Sequence, residues 1–184
     1  MDLVKKTKFW RGFGKLINAP YVSSVIDPAR GLINVVSAAR TRQREGETPW
    51  TQFEKKLSES YISVVTTAGF HLEGQEPFDI DSAKGDPTFR ALQSDFDKSQ
   101  LRIADVHYPH ARAKKDINVL LPIDRLRELV ANNVLAGLAP NFYSFGWSGG
   151  GLTREFIEPG SGTAHLLSQR LREDGADFVL LAPA

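Results

Sequence analysis

The stretch YISVVTTAGFHLEGQEPFDIDSAKGDPTFR, from Tyr61 to Arg90, decides the fold. It opens on Tyr61 to Thr67, a run rich in β-branched residues with almost no alternation of polar and apolar positions. Such a run suits a strand buried on both faces, as in a mostly parallel sheet covered by helices. Ala68-Gly69 ends it with a small-residue turn, and His71, Gln75, Glu76, Asp79, Asp86 and Arg90 follow. In an open α/β sheet, ligands sit in the crevice outside the carboxyl ends of the strands. Strand, glycine turn and polar cluster, in that order, therefore mark a candidate site.

Working outward, Leu101 to Val106, Asn118 to Leu121 and Asp177 to Ala182 are further candidate strands. Between them the apolar period changes. Ile123, Leu126, Leu129 and Val130 mark a helix entered through Pro122 with Asp124 in its first turn. Leu166, Leu167 and Leu171 mark another that ends at Gly175. Strands alternating with helices predict an α/β fold with a mostly parallel sheet flanked by helices, a flavodoxin-like three-layer arrangement. Residues 1–48 read as a separate basic, helical N-terminal arm, and 49–184 as the α/β domain. In the arm, Lys5, Lys6, Lys8, Arg11 and Lys15 oppose Phe9, Trp10, Phe13, Leu16 and Ile17 at helical spacing. A packed helix with solvated charges is the expectation, and peripheral contact with an anionic membrane is the alternative. Gly31 to Ala39 suggests a second helix before Pro49-Trp50.

With 184 residues, 41% of them hydrophobic and 24% charged, the chain has the material for one ordinary domain. A net charge of +1 argues against a dedicated nucleic-acid surface. The sequence has no run of about 18 apolar residues and no leader-like apolar segment, so a cytoplasmic location is expected. It also has no cysteine, which removes disulfides, thiolate metal sites and a cysteine nucleophile from these residues.

Two constellations carry candidate chemistry. In the first, Arg90 has the planar fork that clamps a carboxylate, Gln75 and Asp86 could bind substrate, and His71 could move a proton. The structural alternative pairs Asp86 with Arg90 across a turn. The second is Asp105, His107, Tyr108 and His110, followed by Asp116 and Asn118. Two histidines three apart beside carboxylates resemble part of a zinc or iron site, but Pro109 breaks a regular HxxH and no third ligand is fixed. No metal is therefore assigned. Acid–base work by His107 or His110 is the stronger expectation, with Asp116 and Asn118 on the substrate side. The glycine-rich GWSGGG, Gly146 to Gly151, lacks the GK[ST] of a phosphate loop. His165 falls within the C-terminal helix and reads as packing.

Taken together, TTAGFH (66 to 71), QEPFD (75 to 79), GDPTFR (85 to 90), IADVHYPHARAKKDINVLLPIDRLREL (103 to 129) and DGADFVLLAP (174 to 183) carry a resemblance. They resemble the selenoprotein B family of glycine, sarcosine and betaine reductases, and within it the selenocysteine-bearing subunit of D-proline reductase. The likeness covers about Pro49 to Ala184. It implies reductive cleavage of a carbon–nitrogen bond alpha to a carboxylate, with a dithiol as electron donor. It also implies a pyruvoyl-bearing partner subunit that holds the substrate amine, and a selenocysteine or cysteine nucleophile. In the family that residue follows the strand matching Asp177 to Ala182, so it is expected just after Ala184, with a UGA codon read as stop as one explanation. On this reading His71, Asp86, Arg90, His107, His110 and Asp116 line the substrate side, Arg90 contacts the carboxylate, and His71 or His107 protonates the amine. The rival expectations are a non-catalytic binding or assembly protein of the same fold, and a histidine-based metal-dependent lyase or hydrolase.

Overall fold

The structure, a computed structural model, describes Gly12, Lys15, Leu16, Phe156 and residues 51–82, 85–106, 108–146 and 158–184. Nearly all of the expected N-terminal arm lies outside the described residues, as do Pro49-Trp50, His107 and 147–151 of the glycine-rich loop.

Strand β1, Tyr61–Thr66, forms the centre. Its first residue is exposed and the next five are buried, as the unalternating sequence predicts. Ile62 and Val64 belong to one core cluster, and Val65 to another. Thr66 shares the face of Ile62 and Val64, where its hydroxyl donates to Leu120 O at 3.0 Å. Strand β1 pairs in parallel with β5 (Gly137–Leu138), β6 (Asn141–Phe145) and β7 (Phe178–Ala182). A strand has two edges, so two of these partners must share one. Tyr61 faces Gly137 while Val65 faces Tyr143, and β5 and β6 therefore run in succession along one edge with a two-residue slip at Ala139-Pro140. Ala139 N donating to Ile62 O and Ser63 Oγ donating to Asn141 O, both at 2.8 Å, stitch that slip. Strand β7 takes the other edge. Strand β3, Phe89–Gln93, lies beyond β6 and runs antiparallel to it.

Each face of the sheet is covered. On one, Ile62, Val64, Leu92 and Phe142 pack with Ile123 and Leu126 of α2, Ile123–Ala131. On the other, Val65, Tyr143 and Phe145 meet Leu167 of α3, Thr163–Glu173. Each fully buried Val, Leu or Phe contributes about 1.5–3 kcal/mol, so these two clusters dominate the stability of the described domain. Helix α3 is followed by Gly175 at φ +68°, the left-handed position that closes a helix. Just beyond, Asp177 Oδ2 accepts from Tyr61 N at 2.8 Å and Lys55 Nζ at 2.7 Å, joining the starts of β1 and β7.

The α/β architecture, with a mostly parallel sheet, is as predicted, and β1, α2, α3 and β7 fall where expected. Three features differ. Leu101 to Val106 does not join the main sheet: only Leu101–Ile103 is strand, β4, and it pairs antiparallel with β2, Phe70–Leu72. Asn118 to Leu121 is not a strand. Ile117–Val119 forms a 3-10 turn, because Asp116 Oδ1 accepts from Asn118 N at 2.9 Å and curls the backbone there. Finally, β3 is antiparallel, which an all-parallel flavodoxin-type sheet does not contain.

Candidate functional site

The carboxyl ends of four strands meet at Thr67-Ala68-Gly69. Gly69 N donates to Phe145 O at the end of β6 at 2.8 Å, and Gly69 O accepts from Ala104 N beyond β4 at 2.9 Å. Beyond β7, Ala184 N donates to Thr67 Oγ1 at 2.9 Å. Gly69 takes φ +67°, and a Cβ there would lie 2.7 Å from Ala104 O and 2.9 Å from Asp105 Cβ. Only glycine lets the turn after β1 approach the backbone beyond β4 this closely.

Asp105, Tyr108 and His110 stand beside this junction. Asp105 is 5% exposed. Tyr108 donates to Ala68 O at 2.6 Å, and burial together with the Asp105 charge pushes its pKa up, so it keeps its proton as an anchor. The His110 ring packs edge-on against Tyr108, with centroids 4.9 Å apart. Burial lowers the His110 pKa and Lys114 adds to this, while Asp105 opposes it. A neutral imidazole at pH 7 follows, which can accept a proton.

The first constellation is divided. His71 pairs across the hairpin with Arg102, while Phe70 and Leu72 join the core, so alternation turns the His71 side chain to the other face of the hairpin. Its Nδ1 lies 3.2 Å from Leu72 O. Gln75 accepts from Leu72 N and donates to Ala91 O, both at 2.8 Å, tying β2 to β3. Arg90 donates to Glu76 O at 2.6 Å, Pro77 O at 3.2 Å, Phe89 O at 3.2 Å and Thr88 Oγ1 at 2.7 Å. Its guanidinium also lies over the Phe78 ring at 4.3 Å and 3.6 Å from Asp86 Oδ2. Asp86 accepts from Asp79 N at 3.1 Å, from Thr88 N at 2.9 Å and from the Thr88 hydroxyl. Burial alone would raise its pKa, but the Thr88 and Asp79 hydrogen bonds and the Arg90 charge together hold it below the usual carboxylate value. The Asp86–Arg90 pair is thus the turn brace considered from sequence.

The second constellation opens onto a cleft of about 600 Å³ between β4 and α1, Ala111–Lys115. Phe70, Leu101, Ile103, Ala113 and Ile117 give it an apolar floor, and His110, Lys114, Lys115, Lys98, Asp116 and Asp124 line it too. Asn118 lies behind this wall. Its Oδ1 accepts from Asp124 N at 3.0 Å, and its Nδ2 donates to Asp116 Oδ1 at 2.9 Å and Asp124 Oδ2 at 2.8 Å. It thereby caps α2. The same Asn118 side chain and backbone lower the Asp116 pKa. Among the described residues, no group of three or more His, Asp or Glu side chains could hold a metal ion. None of their helices is long and apolar enough to cross a membrane. Lys114 and Lys115 were not singled out in sequence; the adjacent pair in ARAKKD was the available signal.

Against known proteins, the chain is 32% identical over 132 residues to the D-proline reductase subunit gamma of Acetoanaerobium sticklandii. The match takes in 72% of this chain and 52% of that protein. The matched stretch is D-proline reductase-like. The resemblance carried by the motifs is borne out at that level, and the chain spans about half the length of the curated relative. No family profile and no solved structure matches the chain.

Proposed function

We propose that this D-proline reductase-like chain supplies the sheet-edge half of a reductase that cleaves the bond between nitrogen and the carbon alpha to a carboxylate. With D-proline the Cα–N bond of the ring would break, Cα and nitrogen would each gain a hydrogen, and a dithiol would become a disulfide. Two electrons and two protons balance the step. A selenolate or low-pKa thiolate supplies the nucleophile in such chemistry. None of the 184 residues is cysteine, so the nucleophile would enter from outside them, past the end of β7, and a pyruvoyl group on a partner subunit would hold the amine.

The supporting observation is the meeting of the β1, β4, β6 and β7 ends at Thr67-Ala68-Gly69 beside Asp105, Tyr108 and His110. It is the crevice position that open α/β sheets use. There His110 would carry the proton, Tyr108 would fix the wall through Ala68, and Asp105 would favour the charged imidazole. His107, next to Tyr108, remains a candidate for the same proton. Arg90, first choice from sequence for the carboxylate, has its donors engaged by backbone and by Thr88, which favours other cations for that contact.

The test is the full-length protein assembled with its pyruvoyl-bearing partner, given D-proline and dithiothreitol. Ring opening to 5-aminopentanoate is expected, with turnover lost in His110→Gln. If the assembled complex leaves D-proline, glycine, sarcosine and betaine unchanged, the binding or assembly protein becomes the better reading.

A further inference from the structure

The cleft between β4 and α1 combines three properties. Its floor carries the half-buried Leu101, Ile103 and Ile117, packed against the core cluster that holds the buried Phe70. Its volume, about 600 Å³, lies within the ~300–1,000 Å³ of small-molecule sites. Its charges are unequally engaged. Lys98 is held by Asp124 at 2.9 Å, and Arg102 by Glu73 at 2.8 Å. Lys114 and Lys115 have no ion pair or side-chain hydrogen bond among the described residues, although both line the cleft. The neighbouring carboxylate, Asp116, is turned to Asn118 rather than to either lysine.

We propose that this cleft binds a small organic carboxylate, its apolar body on Leu101, Ile103 and Ile117 and its charge beside Lys114 and Lys115. An apolar floor alone would take a neutral hydrocarbon, and two surface lysines alone would take any anion weakly. Together they select a molecule with both parts, because burying the body is favourable only when the charged end stays paired or wet. Bare phosphate would leave the floor in water, and an uncharged amide would leave the lysines without a partner. His110 lines the same cleft, so the cleft adds a carboxylate subsite to the proposed reductase site. Binding of hexanoate is read without turnover, which keeps its failure distinct from failure of the reductase reading.

Titration calorimetry of the whole chain with hexanoate, hexanamide and inorganic phosphate tests it. Hexanoate is expected to bind, and to bind more tightly than either control. Lys114→Gln with Lys115→Gln should weaken hexanoate about tenfold, the scale expected for two partly exposed charges. Lys56→Gln, on a lysine that pairs with Glu59 outside the cleft, should leave it unchanged. Backbone amide shifts that move at Ile103, Ala113 and Ile117 on adding hexanoate would place the ligand in the cleft. Absence of hexanoate binding, equal binding of hexanamide or phosphate, an unaffected double variant, or shifts confined to other residues would each overturn the proposal.

Discussion

The two polar clusters flanking the sheet contain similar residue types and do different work. In one, Arg90 and Asp86 are both fully engaged: the guanidinium meets three backbone carbonyls, a hydroxyl, an aromatic face and Asp86, whose oxygens meet Asp79 and Thr88. The side chains of Arg90 and Asp86 are only 14% and 11% exposed. Around the β4–α1 cleft, Lys114 and Lys115 have no partner among the described residues and face an apolar floor. The difference separates a brace from a binding surface. Residue type and spacing do not reveal it, because an arginine that clamps a ligand and one that clamps its own loop have the same sequence.

Substitutions can break or sharpen this contrast. The largest loss of stability is expected at the junction itself: Gly69→Ala places a Cβ against Ala104 O in a left-handed backbone, at a cost of about 2–4 kcal/mol in urea unfolding. Next, Arg90→Ala removes the brace and leaves Asp86 without its cation, costing about 2–3 kcal/mol. Asp86→Asn should cost about 1–2 kcal/mol at pH 7. Because the Asp86 pKa is lowered in the folded state, its contribution is present above the ordinary value of 3.8 and is lost as pH falls through the folded value. The gap between wild type and Asp86→Asn should therefore close in acid, and a gap that widened would contradict the brace. Asn118→Ala, which uncaps α2, should cost about 1 kcal/mol. At the other end, Lys114→Gln with Lys115→Gln should change stability by less than about 0.5 kcal/mol.

The sequence was most legible where burial alone sets structure. The unalternating β1 run and the apolar period of α2 and α3 follow from burial and were readable; β7 was readable from its apolar run, although Leu180 and Leu181 are exposed. Legibility failed where one side chain redirects the backbone. Asp116 capping its own turn converts an apparent strand at Asn118 to Leu121 into a 3-10 turn. The Leu101 strand lies outside the main sheet and pairs with β2, and Gly69 permits the close approach of the two segments at Ala104. Strands β3 and β6 were missed because Arg90 interrupts the first, and Pro140 and Gly146 bound the second so closely that NFYSF reads as a loop. Among site residues, His110 and Asp116 were anticipated and do line one cleft, whereas Asp86 and Arg90 form the brace, Gln75 ties β2 to β3, and His71 turns to the other face of the β2–β4 pair. Lys114 and Lys115 were not anticipated, since a lysine pair on a polar helix usually signals only a solvated face.

The central claim is that chemistry belongs to the junction beside Tyr108 and His110 and that the Arg90 cluster is structural. Turnover of D-proline per folded molecule, measured in the assembled full-length complex for Arg90→Ala and His110→Gln, tests it most directly. The expected result is that Arg90→Ala lowers stability yet keeps its turnover within about twofold, while His110→Gln stays folded and loses turnover by 10²-fold or more, the scale of a removed acid–base group. The reverse pattern, with Arg90→Ala folded but inactive and His110→Gln active, would contradict it.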